Sequence, residues 1–402
     1  MIARAFLKGE MDMSKELVAK MNKRVTQLKP SSILEFNKKI SGIEGIIKLT
    51  LGEPDFNTPD HIKQAAIDAI EDNDSHYTNS HGIIELREAA ANYLNTKYDL
   101  NYDAESEVLI TAGATGSIYS SLTAILNPGD SVIIPTPIFP FYIPITQLNG
   151  ATPIFVDTSD NGFILSPEKL AEAIEENKDT VKAVILNYPT NPTGVTYGRD
   201  DLEKIADVLR GKDIFLISDE IYSELTYEKK HVSMGTILPE QTLVINGVSK
   251  SHAMTGWRIG VICGPADIIS EIGKVSEFTV TSETTNAQRA AAEAFKNGMN
   301  DAAPMKAEYE KRRDIVTQGL SEAGFECPNP KGAFYIFAKI PAGMTQNSVD
   351  FCYELAENAK VALIPGASFG PGGEGYVRIS YAASETDLKE AVKRIKEYAL
   401  VK

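Results

Sequence analysis

Cysteine is scarce in this 402-residue chain: Cys263, Cys327 and Cys352 lie too far apart for a CxxC pair or any zinc-ligand spacing. That excludes a disulfide framework, gives no reason to expect a metal, and fits free thiols in a reducing compartment, the cytoplasm by default. No run approaches the ~20 uninterrupted apolar residues of a membrane-spanning helix. The opening MIARAFLKGEMDMSKEL has early basic residues but no apolar core of secretory length, and Glu10 and Asp12 are foreign to a transit peptide; Met13 is a second candidate start. Positive charge is also in deficit, with 40 Lys and Arg against 55 Asp and Glu, a formal charge of −15. A field of that sign repels nucleic-acid backbones and anionic membrane surfaces, so small molecules are the expected partners.

What is present is an ordinary globular composition, 43% hydrophobic and 24% charged, over a length that suits two domains. From about Asp60 to Phe295, short apolar runs alternate with amphipathic helical stretches, the pattern of a sheet covered by helices. VLITA (from Val108), VIIP (from Val132), VKAVILN (from Val181), IFLISDE (from Ile214), LVINGV (from Leu243) and IGVICG (from Ile259) read as strands. SPEKLAEAIEEN reads as a helix, with Ser166 at the N-cap and Pro167 in the first turn. After about Lys296 a long helix, a strand GAFYIFAKI, another helix, a strand YVRISYA and a terminal helix suggest a smaller α+β domain. The expected division is residues 1–60 as a segment packing on that small domain, 61–295 as the large domain and 296–402 as the small one.

Ligands of open α/β sheets gather at the carboxyl ends of the strands, so the residues just past each strand carry the functional signal. After VLITA come Gly113, Ala114 and Thr115, small residues opening a helix, which suit an anion and equally suit a plain strand-to-helix turn. After VKAVILN, Asn191 sits in a stiff proline-rich turn. IFLISDE ends on Asp219 and Glu220, with Tyr222 just beyond; acids after such an apolar run need a partner, either a cationic ligand atom or a protein group. LVINGV delivers Ser249 and Lys250, and Arg258 comes eight residues later. A lysine at a strand end is a candidate for covalent attack on a carbonyl, although a solvated loop lysine is the commoner case. Together, an anion cradle, a directional amide, a carboxylate, a phenol, a lysine and an arginine match pyridoxal 5′-phosphate (PLP): aldehyde to lysine, phosphate to anion site, ring nitrogen to carboxylate, phenolic oxygen to donors.

The motifs LTLGEPDF, HYTNSHGIIELREA, TAGATGS, NYPTNPTG, SDEIYSEL, SKSHAMTGWRIG, KGAFYIF and PGASFGPGGEGYVRISYA, in this order, resemble the fold type I, class I PLP-dependent aminotransferases of the gamma subgroup. The resemblance runs from about Gln27 to the C-terminus. It implies an α/β large domain, with a mostly parallel mixed sheet between helices, beside a smaller α+β domain. It implies that Lys250 holds the cofactor aldehyde and shuttles a proton, that Asp219 keeps the pyridine nitrogen protonated, and that Asn191 and Tyr222 hold the phenolic oxygen. Gly113, Ala114, Thr115 and Arg258 would hold the phosphate, and Phe139 would stack on the ring. Tyr77 would reach the phosphate of the neighbouring subunit in a homodimer with shared active sites. Arg378 and the backbone of Gly52 would bind the substrate α-carboxylate, where Asn191 also contributes, and Ile33, with Leu34 and Phe36, is a candidate for apolar substrate contacts. One departure is Gly247, where many members place a phosphate-binding serine; Ser249 is the candidate replacement.

Gly370, Gly372 and Gly375 satisfy GxGxxG, but a strand rather than a helix comes next, so a dinucleotide site is rejected. The expected reaction moves an amino group between amino acids and 2-oxo acids in two alternating halves. The wider sequence resembles aromatic amino-acid aminotransferases, favouring an aromatic donor with 2-oxoglutarate as acceptor. Aspartate and N-acetyl-LL-diaminopimelate are alternative donors, and a carbon–sulfur lyase or a non-catalytic PLP-binding regulator are rival classes.

Overall fold

The structure is a computed structural model that describes residues 13–401; the stretch 1–12, where a targeting signal would stand, lies outside the described residues. Among the described residues there are twelve strands: β1 (Ile47–Lys48), β2 (Val108–Ala112), β3 (Ser131–Thr136), β4 (Thr152–Asp157), β5 (Val181–Asn187), β6 (Phe215–Asp219), β7 (Thr242–Gly247), β8 (Ile259–Cys263), β9 (Tyr335–Lys339), β10 (Val361–Ala362), β11 (Ile364–Pro365) and β12 (Tyr376–Ser380). Seven form the main sheet, in the order β2-β8-β7-β6-β5-β3-β4. All neighbours are parallel except β8, which runs antiparallel to both β2 and β7. The fold is therefore α/β, of the fold type I kind, with a mostly parallel mixed sheet. Strand β4 has no counterpart among the sequence-based strands: TPIFVD sits at the sheet edge, half exposed, and its apolar signal is correspondingly weak.

The central strands are mostly apolar because both faces are covered. Alternate residues of β5 enter different cores: Ala183 and Ile185 pack with Ile217 and Leu243, whereas Val184 and Leu186 pack with Leu216. Helix Gly113–Ile125 covers the first face through Ile118, Leu122 and Ile125, and helix Arg199–Leu209 covers the second through Leu202, Ile205 and Leu209. In helix Pro167–Glu176, Ser166 accepts the backbone N–H of Lys169 at 3.1 Å, an N-cap placed as its sequence suggests.

A second core joins the two ends of the chain. Phe36, Ile40 and Leu49 pack among Val316, Phe337, Phe351 and Ile379. Strand β1 pairs parallel with β10, and Leu49 accepts a backbone bond from Ser380. The GxGxxG stretch lies in the loop before β12 with no helix after it. Among the described residues no helix is long and apolar enough to cross a membrane.

The two acids ending IFLISDE find different partners. Glu220 is fully buried and accepts from Ser218 (2.8 Å), Ser233 (2.9 Å), Tyr188 (3.1 Å) and the Met234 N–H (3.1 Å), with His231 Nε2 at 2.8 Å. Glu220→Ala would strip all of these groups of their shared acceptor. The expected loss is about 3–5 kcal/mol of stability, read as a lower urea midpoint of the cofactor-free protein; an unchanged midpoint would show that the network carries no stability.

Candidate active site

Strand register gathers the site. Asn187 pairs with Asp219, and Asp219 with Ile245, so β5, β6 and β7 end along one edge. Because β8 is antiparallel, its first residue Ile259 lies opposite Ala112, the last of β2, and Gly260 lies opposite Gly247. The turns after β2, β5, β6 and β7 and the turn before β8 therefore meet around a cavity of about 370 Å³, within the size range of small-molecule sites.

Ala114, Thr115, Phe139, Asn191, Asp219, Tyr222, Ser249, Lys250 and Arg258 all line this cavity, as do Gly52, Ile33, Leu34 and Arg378. Gly113, Tyr77 and Phe36, also singled out in the sequence, do not. Gly113 forms the turn beneath Arg258, at φ +72°, where a Cβ would stand 2.3 Å from the guanidinium. Tyr77 is 86% exposed, in a separate surface hollow beside His76 and Glu283. Phe36 packs instead in the core, against the ring of Tyr353.

One end of the cavity is built for an anion. Helix Gly113–Ile125 has no side-chain cap, so its first backbone N–H groups keep free hydrogens. Arg258 stands beside them, donating to the Thr255 carbonyl at 2.7 Å and close to the Ala112 carbonyl. Gly260 allows the approach, since a Cβ there would lie 2.4 Å from the Gly113 backbone. Gly247 is constrained likewise: a Cβ would come within 2.8 Å of the Ile259 carbonyl, which leaves no room for a serine at this position.

Further in, the Lys250 amine donates to the Gly52 carbonyl at 2.5 Å. Burial, with the nearby charges of Arg258 and Arg378 acting in the same sense against the attraction of Glu53, lowers its pKa to about 8. Burial raises the Asp219 carboxyl to about 6, held back by a 2.6 Å bond from Tyr142 and the backbone N–H of Ile221. Arg378, 3% exposed, donates to Asn191 Oδ1 at 2.9 Å and to the Thr50 carbonyl at 2.7 Å, while its Nε has no partner. Since Asn191 Oδ1 is used on Arg378, its Nδ2 is the end free to donate to a ligand. Tyr222 shares a 2.8 Å hydrogen bond with the hydroxyl of Tyr335.

Sequence reasoning missed Tyr142 and Tyr335. Both stand inside the stretches PTPIFPFY and KGAFYIF, but no strand-end signal marks them, because they act from a helix start and from another sheet.

An uncapped helix N-terminus with an arginine, a buried amine of lowered pKa, a buried carboxyl and an oriented amide suit the phosphate, aldehyde, ring nitrogen and phenolic oxygen of PLP. Fold and cavity together are those of a PLP-dependent fold type I transferase. Comparison with known proteins agrees. The profile of the family "Aminotransferase class I and II" matches residues 44–395. A probable N-acetyl-LL-diaminopimelate aminotransferase of Bacillus subtilis (strain 168) is 47% identical over 383 residues, 95% of this chain and 96% of that protein. Among solved structures, a single mutant of the Thermus thermophilus aspartate aminotransferase superposes with a TM-score of 0.89 at 37% identity, covering 94% of this chain and 99% of that one. The aromatic aminotransferase from Pyrococcus horikoshii OT3 gives 0.84 at 38%, covering 90% and 98%. The chain belongs to the class I and II aminotransferases, and is a PLP-dependent enzyme acting on amino acids and 2-oxo acids.

In the cofactor-free protein, Lys250 should lose its proton near pH 8, whereas surface lysines hold theirs to about 10.4. Competitive amine labelling across a pH series, read peptide by peptide, checks this; a Lys250 that titrates with the surface lysines contradicts it.

Proposed function

We propose that the enzyme exchanges amino groups in two alternating half-reactions between an aromatic L-amino acid and a 2-oxo acid such as 2-oxoglutarate, with Lys250 as its catalytic base. What carries the reading is that the Lys250 amine and the Asp219 carboxyl share one cavity wall with an anion cradle and a buried arginine.

Bound PLP supplies the electron sink for the carbanion. The chain's residues do the rest. Lys250 would anchor the cofactor through its aldehyde and would serve as the base for the substrate α-proton; its lowered pKa leaves a usable fraction of neutral amine at neutral pH. Asp219 holds a proton on the ring nitrogen, and a cationic partner there draws its raised pKa back down. Asn191 Nδ2 and the Tyr222 hydroxyl donate to the phenolic oxygen. Phe139 stacks on the ring, and Arg258, Ser249 and the N–H groups at Gly113, Ala114 and Thr115 hold the phosphate. Arg378 and the Gly52 backbone take the α-carboxylate, and the free Nε of Arg378 is one donor for it.

In this reading residues 61–295 form the cofactor-binding domain, 296–402 the small domain and 1–60 a segment packing on the small domain and the active site. The exposure of Tyr77 supports a homodimer in which this ring completes the partner's phosphate site. The cytoplasm is the expected location.

The aromatic donor rests on the substrate wall. Ile33, Leu34 and Phe141 are apolar, and the cations lining the cavity, Lys250, Arg258 and Arg378, all have other tasks, so none is left for a second carboxylate. N-acetyl-LL-diaminopimelate is the second reading, favoured by the 47% identical relative named for it.

Lys250→Ala should abolish turnover and the absorbance of covalently held cofactor while the circular dichroism is unchanged; an active, yellow variant would refute the assignment. Arg378→Lys keeps the charge but loses the planar fork, and should lower kcat/KM for amino acids roughly 100-fold with cofactor still bound. A donor panel with 2-oxoglutarate discriminates the substrates: a kcat/KM for N-acetyl-LL-diaminopimelate above that for Phe, Tyr and Trp would overturn the aromatic reading.

A further inference from the structure

A phenol stands where the substrate and cofactor halves of the cavity meet. Tyr335 opens β9, fully buried, opposite Ser380 at the end of β12. Its hydroxyl bonds that of Tyr222 at 2.8 Å. Its ring lies under the Arg378 guanidinium, 4.6 Å from the centroid. Its oxygen would be 2.9 Å from a Cβ at position 52, so the Gly52 backbone rests against it.

We propose that Tyr335 is a positioning residue that couples Arg378 to Tyr222, holding the Tyr222 hydroxyl so that its hydrogen is presented to the cofactor oxygen. This rests on the cavity being the PLP site. The two phenols share one hydrogen. If Tyr335 donates it, Tyr222 keeps its own for the cavity; if Tyr222 donates, its hydrogen is spent. Burial pushes both phenols up, Tyr222 further; the charge of Arg378 counters the rise at both, while Asp219 adds to it at Tyr222, which leaves Tyr335 the more acidic of the two and the better donor. A carboxylate drawing on Arg378 changes the charge that Tyr335 feels, so substrate binding reaches the cofactor oxygen through two phenols.

The test is Tyr335→Phe in the holoenzyme, which keeps the ring beneath Arg378 and removes only the hydroxyl. One hydrogen bond lost through a relay should raise the pH midpoint of the bound cofactor's absorbance change by about 0.4–1 unit and lower kcat/KM by up to roughly tenfold. The decisive comparison is the double-mutant cycle with Tyr222→Phe. If Tyr335 acts through Tyr222, the double variant has the midpoint of Tyr222→Phe alone. An unchanged midpoint in Tyr335→Phe, or additive shifts in the double variant, overturns the proposal. Lys250→Ala keeps the two readings apart: should it still carry cofactor fixed by borohydride, the cavity reading fails; should it not, while Tyr335→Phe shows no shift, only the coupling fails.

Discussion

Two consecutive acids at the end of one buried strand must face opposite ways, and the cavity depends on how each is held. Successive side chains of a strand alternate between faces. Glu220 is drawn into a closed network with His231, Tyr188, Ser218 and Ser233, while its backbone N–H bonds the Ile245 carbonyl of β7. That fixes the end of β6, and Asp219 is thereby turned to the cavity with only Tyr142 and one backbone N–H to satisfy it. One acid is held in a structural network while its neighbour faces the cavity. The lysine comes from the adjacent strand through the same register.

Close backbone approach does the remaining positioning. Without the bare Cα at Gly260 and Gly113, the turn after β2 could not lie against β8, and Arg258 could not stand beside the helix N-terminus. Gly52 plays the same part against Tyr335. These contacts concentrate three cations and a helix N-terminus in one cavity of a protein whose formal charge is −15. The global charge is repulsive to polyanions, whereas the local charge is complementary to small anions of a size to fit inside.

The substrate side is made by pieces remote in sequence. Arg378 of β12 donates to the Thr50 carbonyl, 328 residues away, and to Asn191 beyond β5. The shared core of Phe36, Ile40 and Leu49 with the C-terminal strands brings Ile33, Leu34 and Gly52 to the cavity rim. Bonds of this kind explain why amide orientation, arginine placement and the Gly52 strap form one unit.

Much of this is legible in the chain alone. Apolar runs mark the central strands, because strands buried on both faces do not alternate apolar with polar residues; the half-exposed β4 lacks that signal. Lys250, Asp219 and Asn191 can be found because parallel strands deliver their carboxyl ends to one edge, whereas Arg258 reaches that edge because β8, which it precedes, runs antiparallel. Tyr142 and Tyr335 cannot, since a tyrosine in an apolar segment reads as packing until its hydroxyl has a partner. Local pattern was thus enough to specify the layered architecture, the residues gathered at the strand ends and the family. Three-dimensional contacts were needed to decide which of two adjacent acids faces the cavity, which end of Asn191 is free and which phenols stand behind it, because each depends on a hydrogen bond between residues that no local pattern links.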